Sequence, residues 1–257
     1  MASIRADIVD EARRVISWAN EEQVLLRALG GVAVRLHATG GIHPALSRSY
    51  ADLDLVTTRK HGRATTALMR QLGYQPNERF NAMNGATRLV FYDQEHGRRV
   101  DVFVGEFRMC HEIPIAARLQ VDDETVPLAE LLLTKLQIVR LNEKDLHDIW
   151  AILLEHAVAE HDDDSVNSAQ VAELLAADWG LWRTTRQTIE TAREGLSSSP
   201  LSAAERALVG ERLAVLWERV EAEPKGLRWR SRARLGDRSR WYEEPEEIAH
   251  AAPAPFA

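Results

Sequence analysis

The sequence predicts an α+β protein: a small mixed β-sheet half with flanking helices over residues 1–125, a helical half over 126–223 and an irregular tail over 224–257. Three observations predict it. Before residue 125, short apolar runs of strand length (24–28, 52–56, 88–92 and 99–104) alternate with segments of helical periodicity. From Pro127 onward the apolar residues recur at helical spacing, beginning with Leu128, Leu131, Leu132 and Leu136. Beyond Glu223 that periodicity gives way to a basic stretch, an acidic cluster and an Ala-Pro terminus.

In chain order, a first helix is expected over 4–18, capped by Ser3, with Ile8, Ala12, Val15 and Ile16 on one apolar stripe. A strand over 24–28 then runs into Gly30-Gly31 and a helix over 32–38, the pattern of strand, tight turn and helix. The stretch 39–51, rich in Gly, Pro and Ser, is a loop. A strand over 52–56, a helix over 62–72 and a hairpin of 88–92 with 99–104 complete the first half. The second half is expected to be all helical, with helices from Pro127, over 143–155, 168–178, 181–194 and 202–223. Of the seven tryptophans, Trp18, Trp150, Trp179, Trp182 and Trp217 fall in helical patterns and read as packing residues. Trp229 and Trp241 flank the arginine-rich tail, which reads as a solvated extension whose interleaved charges and aromatics could contact RNA or a partner protein.

A net charge of −7 argues against a surface built throughout to coat nucleic acid, though 225–240 is strongly basic. No run is long and apolar enough for a membrane span, and the N-terminus lacks the order of a signal peptide, so a cytoplasmic protein with no membrane partner is expected. Cys110 is the single cysteine, which excludes an internal disulfide and a cysteine-rich zinc cage.

The chemistry-bearing candidates start with Asp52 and Asp54. Two apart in a strand, they project on one face, and such apposed charges call for a cation. Magnesium is held by one or two carboxylates plus substrate phosphates. Gly30-Gly31, at a helix start, lets a phosphate approach the backbone. Asp101 interrupts the apolar run 100–104 and needs a partner: either it joins Asp52 and Asp54, a set suited to two metals, or it bridges to Arg99 or sits on an edge strand. Lys135 interrupts an apolar stripe and either snorkels outward or points into a cleft. Asp145 and Asp148 share a helix face and could orient Lys135 or Arg140. His147-Asp148 lacks the second histidine-bearing helix that a metal phosphohydrolase requires.

Together these residues resemble the DNA polymerase β nucleotidyltransferase superfamily, whose signature is a Gly-Gly or Gly-Ser turn, an Asp-x-Asp and a later third acid. The Arg48-Ser49-x-x-Asp52-x-Asp54 stretch and the Lys-Leu-x4-Arg-x3-Lys-Asp-x2-Asp pattern from Lys135 to Asp148 look most like the AbiEii-type nucleotidyltransferase toxins. The resemblance spans 24–150. It implies that Gly30, Gly31, Arg48, Ser49 and Lys135 bind nucleotide and that Asp52, Asp54 and Asp101 bind Mg2+ or Mn2+. It further implies catalytic roles for Asp52, Asp54, Asp101, Lys135 and Asp148, with Asp101 as the base. The implied reaction moves a nucleoside monophosphate from a nucleoside triphosphate to an acceptor hydroxyl on tRNA, protein or a small molecule. Membership in a toxin–antitoxin pair would add an antitoxin protein as partner. An antibiotic-modifying nucleotidyltransferase shares the glycine and aspartate parts but not the Lys135 to Asp148 segment. A catalytically inactive binding protein of the same fold is the remaining alternative. Gly31 departs from the serine of many relatives, and His43-Pro44 maps onto no part of the motif.

Overall fold

A computed structural model of the protein describes residues 3–244. Helix α1 (Ile8–Glu21) starts later than the apolar spacing suggests, because Asp7 rather than Ser3 caps it, accepting from the N–H groups of Val9 and Asp10. Its Ala12, Val15, Ile16 and Ala19 stripe is buried, as the periodicity requires. Strand β1 (Leu26–Leu29) turns at once into α2 (Gly30–His37). After the loop come β2 (Leu53–Thr57), α3 (Gly62–Gln71), β3 (Gln75–Pro76), α4 (Glu78–Asn84), β4 (Arg88–Asp93) and β5 (Arg98–Val104). The short strand β3 and helix α4 were not legible in the sequence; α4 buries none of its residues, so it carries no apolar stripe to read.

These strands form one sheet in the order β1-β2-β5-β4-β3. Strands β2 and β5 are parallel, and the other neighbours are antiparallel. Every residue of β5 is buried, which places it at the covered centre of the sheet. A small pair, β6 (Phe107–Arg108) with β7 (Glu112–Ile113), follows.

The chain leaves the sheet along its β1 edge: Ala28 N–H donates to Glu124 O at 2.9 Å, and Val126 N–H donates to Ala28 O at 3.0 Å. Helix α5 (Leu128–Leu136) then enters the interior with all nine residues buried. It is followed by α6 (Glu143–Glu155), held at its start by a capping box of Asn142 and Asp145. The next segment corrects the expectation of an all-helical second half. Strands β8 (Ala157–Ala159) and β9 (Ser165–Asn167) pair in parallel beside the helices. Helices α7 (Ser168–Ala177), α8 (Trp179–Gly195) and α9 (Ala203–Ala222) complete the bundle. Apolar residues of both halves pack in one continuous core, from Ile16 and Leu55 through Leu132 to Leu216.

The tail also differs from expectation. Leu227–Leu235 is a helix, α10, starting after Gly226 and ending at Gly236, whose φ of +55° suits glycine. Trp229 Nε1 donates to Leu175 O at 3.1 Å and its ring meets Trp182 edge-on at 5.2 Å, so the basic segment is fastened to α7 and α8. Trp241 Nε1 donates to Thr184 Oγ1 at 3.1 Å. The Glu246-Glu247 cluster and the Ala-Pro terminus lie outside the described residues. No described helix is long and apolar enough to cross a membrane.

Candidate active site

Leu29, the last residue of β1, pairs with Asp54 of β2, so the turn into α2 forms directly over that carboxylate. Gly30 makes the turn with φ +67°, and a Cβ there would overlap Asp54 Oδ2. Glycine is therefore required twice, for the left-handed backbone and for the close approach. A Cβ on Gly31 would overlap the Arg48 guanidinium. Arg48 thus occupies the room that any side chain at 31 would need. No side chain caps α2 and its first turn carries no acid, which leaves its leading N–H groups to an anion.

The parallel register sets Asp54 opposite Asp101, so the two carboxylates are neighbours on one face. Asp52 lies one residue before β2, with the same parity as Asp54, and its Oδ2 is 3.7 Å from Arg99 Nη2. Asp101 is fully buried with both oxygens engaged. Arg88 donates to Oδ1 through Nε at 2.9 Å and approaches it through Nη2 at 2.7 Å, while Arg99 Nε donates to Oδ2 at 2.6 Å. Asp101 therefore stands beside Asp54 and also bridges to Arg99, while the expectation of an edge position is corrected, since β5 lies between β2 and β4 at the buried centre of the sheet. What the register does not assemble is a ready three-carboxylate cage. Among the described residues, no three His, Cys, Asp or Glu side chains are gathered to hold a metal.

Asp54 is the undersatisfied member. It has no hydrogen-bond or ion-pair partner among the described residues. Burial, and next the charge of Asp101, push its carboxyl up to about 6 against the pull of Lys135. With Asp52 it forms the pair of carboxylates that could hold a divalent cation.

Lys135 does not snorkel. It is buried on α5, with Nζ 2.7 Å from Asp148 Oδ2 and 3.4 Å from Asp145 Oδ1, both on α6. Asp148 also accepts a two-pronged grip from Arg48, with Nε to Oδ1 at 3.0 Å and Nη2 to Oδ2 at 2.8 Å. Burial works to raise the Asp148 carboxyl, but Lys135 and the Arg48 fork outweigh it and hold it below the usual carboxylate range. Burial likewise opposes the Lys135 charge, and Asp148 and Asp145 more than restore it. Arg140 is exposed and outside this cluster. Ser49 is exposed too, contributing its carbonyl as an acceptor for Arg48 Nη1 at 3.3 Å. Tyr50 supports Arg48 from its ring face, 4.6 Å from centroid to guanidinium.

Sequence reasoning missed Arg88 and Tyr50. Arg88 sits on β4 opposite Phe103, and only the antiparallel register of β4 with β5 brings it to Asp101. His43 is now placed as well: its Nε2 is 3.2 Å from Glu205 Oε1, tying the loop to α9. His147 lies 3.9 Å from Glu143 and packs its ring 5.8 Å from that of Trp150, and it joins no metal-holding group among the described residues.

Compared with known proteins, the chain matches no family model and no curated sequence.

Proposed function

We propose that this protein is a Mg2+-dependent nucleotidyltransferase that moves a nucleoside monophosphate from a nucleoside triphosphate to an acceptor hydroxyl. One observation carries the reading: the glycine turn at an uncapped helix start lies against Asp54, an acid that burial and Asp101 push up to about 6. That combination offers a phosphate both backbone donors and a carboxylate in need of a cation. Gly30 brings the N-terminus of α2 against the Asp54 carboxylate and Gly31 brings it against the Arg48 guanidinium, so phosphates bound to the leading N–H groups would lie beside both. Lys135, buried and held charged by Asp148 and Asp145, supplies the fixed positive potential that acts on Asp54. Arg48 braces this arrangement through Asp148 and Tyr50. Asp52 and Asp54 would hold the metal, which when bound lowers the pKa of an attacking hydroxyl and stabilises the departing pyrophosphate. Asp101 keeps the place of the third acid. With both oxygens held by Arg88 and Arg99, it serves as ligand or base only once an arginine releases it.

The Lys135 to Asp148 pattern favours the AbiEii-like toxin reading, and with it an antitoxin partner, over an antibiotic-modifying enzyme. The arginine grip on Asp101 favours one rival, a protein that binds nucleotide without transferring it. Incubation with each α-labelled nucleoside triphosphate, Mg2+ and total cellular RNA or protein separates the readings. Label should enter one fraction, and Asp52→Ala and Asp54→Ala should each abolish it. Metal-dependent nucleotide binding without any labelled product would establish the rival, and transfer that survives loss of either aspartate would end the proposal.

A further inference from the structure

The arginine-rich segment that follows α9 forms one wall of a cavity of about 680 Å3, set between α10, the start of α8 and the β6–β7 pair. Arg228, Arg232 and Arg240 line it, with Trp229, Trp241 and Tyr242. Residues 225–240 carry seven Lys or Arg against one Asp in a chain whose net charge is −7, so the positive potential is concentrated on this one element. Arg228, Arg230, Arg234 and Arg238 are exposed and pair with no acid among the described residues. Arginines so close in sequence, without an acid partner among the described residues, repel one another, an arrangement that a bound polyanion relieves. The aromatic component goes beyond charge. Arg232 lies 4.3 Å from the Trp179 ring centroid, Arg240 lies 5.1 Å from that of Tyr242, and Trp241 and Tyr242 are half-buried rings at the cavity wall. Of the acids there, Glu112 is paired with Arg108 and Asp178 caps α8 by accepting from Leu181 N–H at 3.0 Å, leaving Glu243.

A second cavity of about 260 Å3 shares Glu243 with the first and is walled by Arg88, the residue that grips Asp101. The two cavities thus lead from α10 to the edge of the candidate active site; the second is mixed in charge, with Arg88 and Arg108 paired to Asp101 and Glu112, Glu243 and Glu244 on its wall, and the rings of Phe80 and Phe103.

We propose that this surface binds single-stranded nucleic acid, with backbone phosphates on the unpaired Arg228, Arg230 and Arg234 of α10 and Arg238 of the turn after it, and unstacked bases against Tyr242 and its aromatic neighbours. A duplex keeps its bases stacked and cannot use the ring faces. If the nucleotidyl-transfer reading holds, on which this last step rests, the strand end beside Arg88 is the acceptor.

The test is fluorescence anisotropy with a labelled 12-nucleotide single strand of mixed sequence, as RNA and as DNA, against its duplex and against inorganic polyphosphate as competitor. Four phosphate contacts give a salt slope of about −3 for the single strand. Arg228→Glu with Arg234→Glu, both exposed, should roughly halve that slope, and Tyr242→Ala should weaken binding about tenfold with the slope unchanged. Equal affinity for duplex and single strand, or binding that neither variant alters, overturns the proposal. Binding that follows these predictions without labelled product leaves the site standing and removes the transfer reading. Transfer to an acceptor that is indifferent to both variants removes the acceptor assignment.

Discussion

Replacing Asp54 by asparagine should make the metal-free protein more stable. In the fold the Asp54 carboxyl is raised from 3.8 to about 6 by burial and by Asp101, so the folded state binds a proton that the unfolded chain releases. Stability therefore falls as pH rises from about 4 through 6, and above 6 the whole cost is present. A shift of roughly two pKa units corresponds to about 3 kcal/mol, which partial solvent access to the side chain reduces to about 2 kcal/mol. Asparagine keeps the shape and removes the charge. At pH 7.5 in EDTA, Asp54→Asn should gain about 2 kcal/mol, or about 5 °C in Tm for a chain of this size, and the gain should vanish near pH 4. Thermal unfolding followed by circular dichroism from pH 4 to 8 measures the difference, and other titrating groups cancel between variant and parent. Mg2+ should then stabilise the parent and not the variant. A variant no more stable than its parent at pH 7.5, or a gain that does not change with pH, would refute the reasoning.

Other outcomes follow from the same geometry. Asp148→Asn leaves Lys135 and Arg48 without their shared anion and should cost about 3 kcal/mol in urea unfolding, the penalty for stranding buried charge. Gly30→Ala must hold alanine at φ +67° and displace Asp54, costing about 1 to 2 kcal/mol in stability and eliminating metal-dependent nucleotide binding by calorimetry. Gly31→Ser needs the space of Arg48, so its effect on stability should shrink in an Arg48→Ala background, a coupling that a double-mutant cycle reads directly. His111, which shares a 2.8 Å hydrogen bond with Thr184, is lowered to about 4 by burial. Its neutral form is the folded one, so it takes away about 3 kcal/mol as pH falls from about 6.5 to 4. His111→Gln should flatten that loss in acid unfolding curves.

The sequence by itself determined the elements whose signals are local. The Asn142 cap, the Leu128 to Leu136 stripe and the hairpin around Gly97 are written in spacings of a few residues, because covalent geometry sets the periods of helix and strand. The need for glycine at 30 was legible in the same way, as a strand running straight into a helix. Local signals compete or are short elsewhere: Ser3 and Asp7 both offer a cap ahead of the α1 stripe and the structure uses Asp7, and the three-residue strands β8 and β9 are too short to show a period of two. Only tertiary structure decided how the site is assembled. That Asp54 faces Asp101, that Arg88 reaches the same carboxylate, and that Lys135 turns inward to Asp148 all depend on strand register and on the docking of α5 against α6. Those choices are made by burying the whole core at once, and no short stretch of sequence encodes them. The tail shows the same division. Its charge was plain from the residues, but its folding depended on Leu175 and Thr184, more than fifty residues away, offering partners to Trp229 and Trp241.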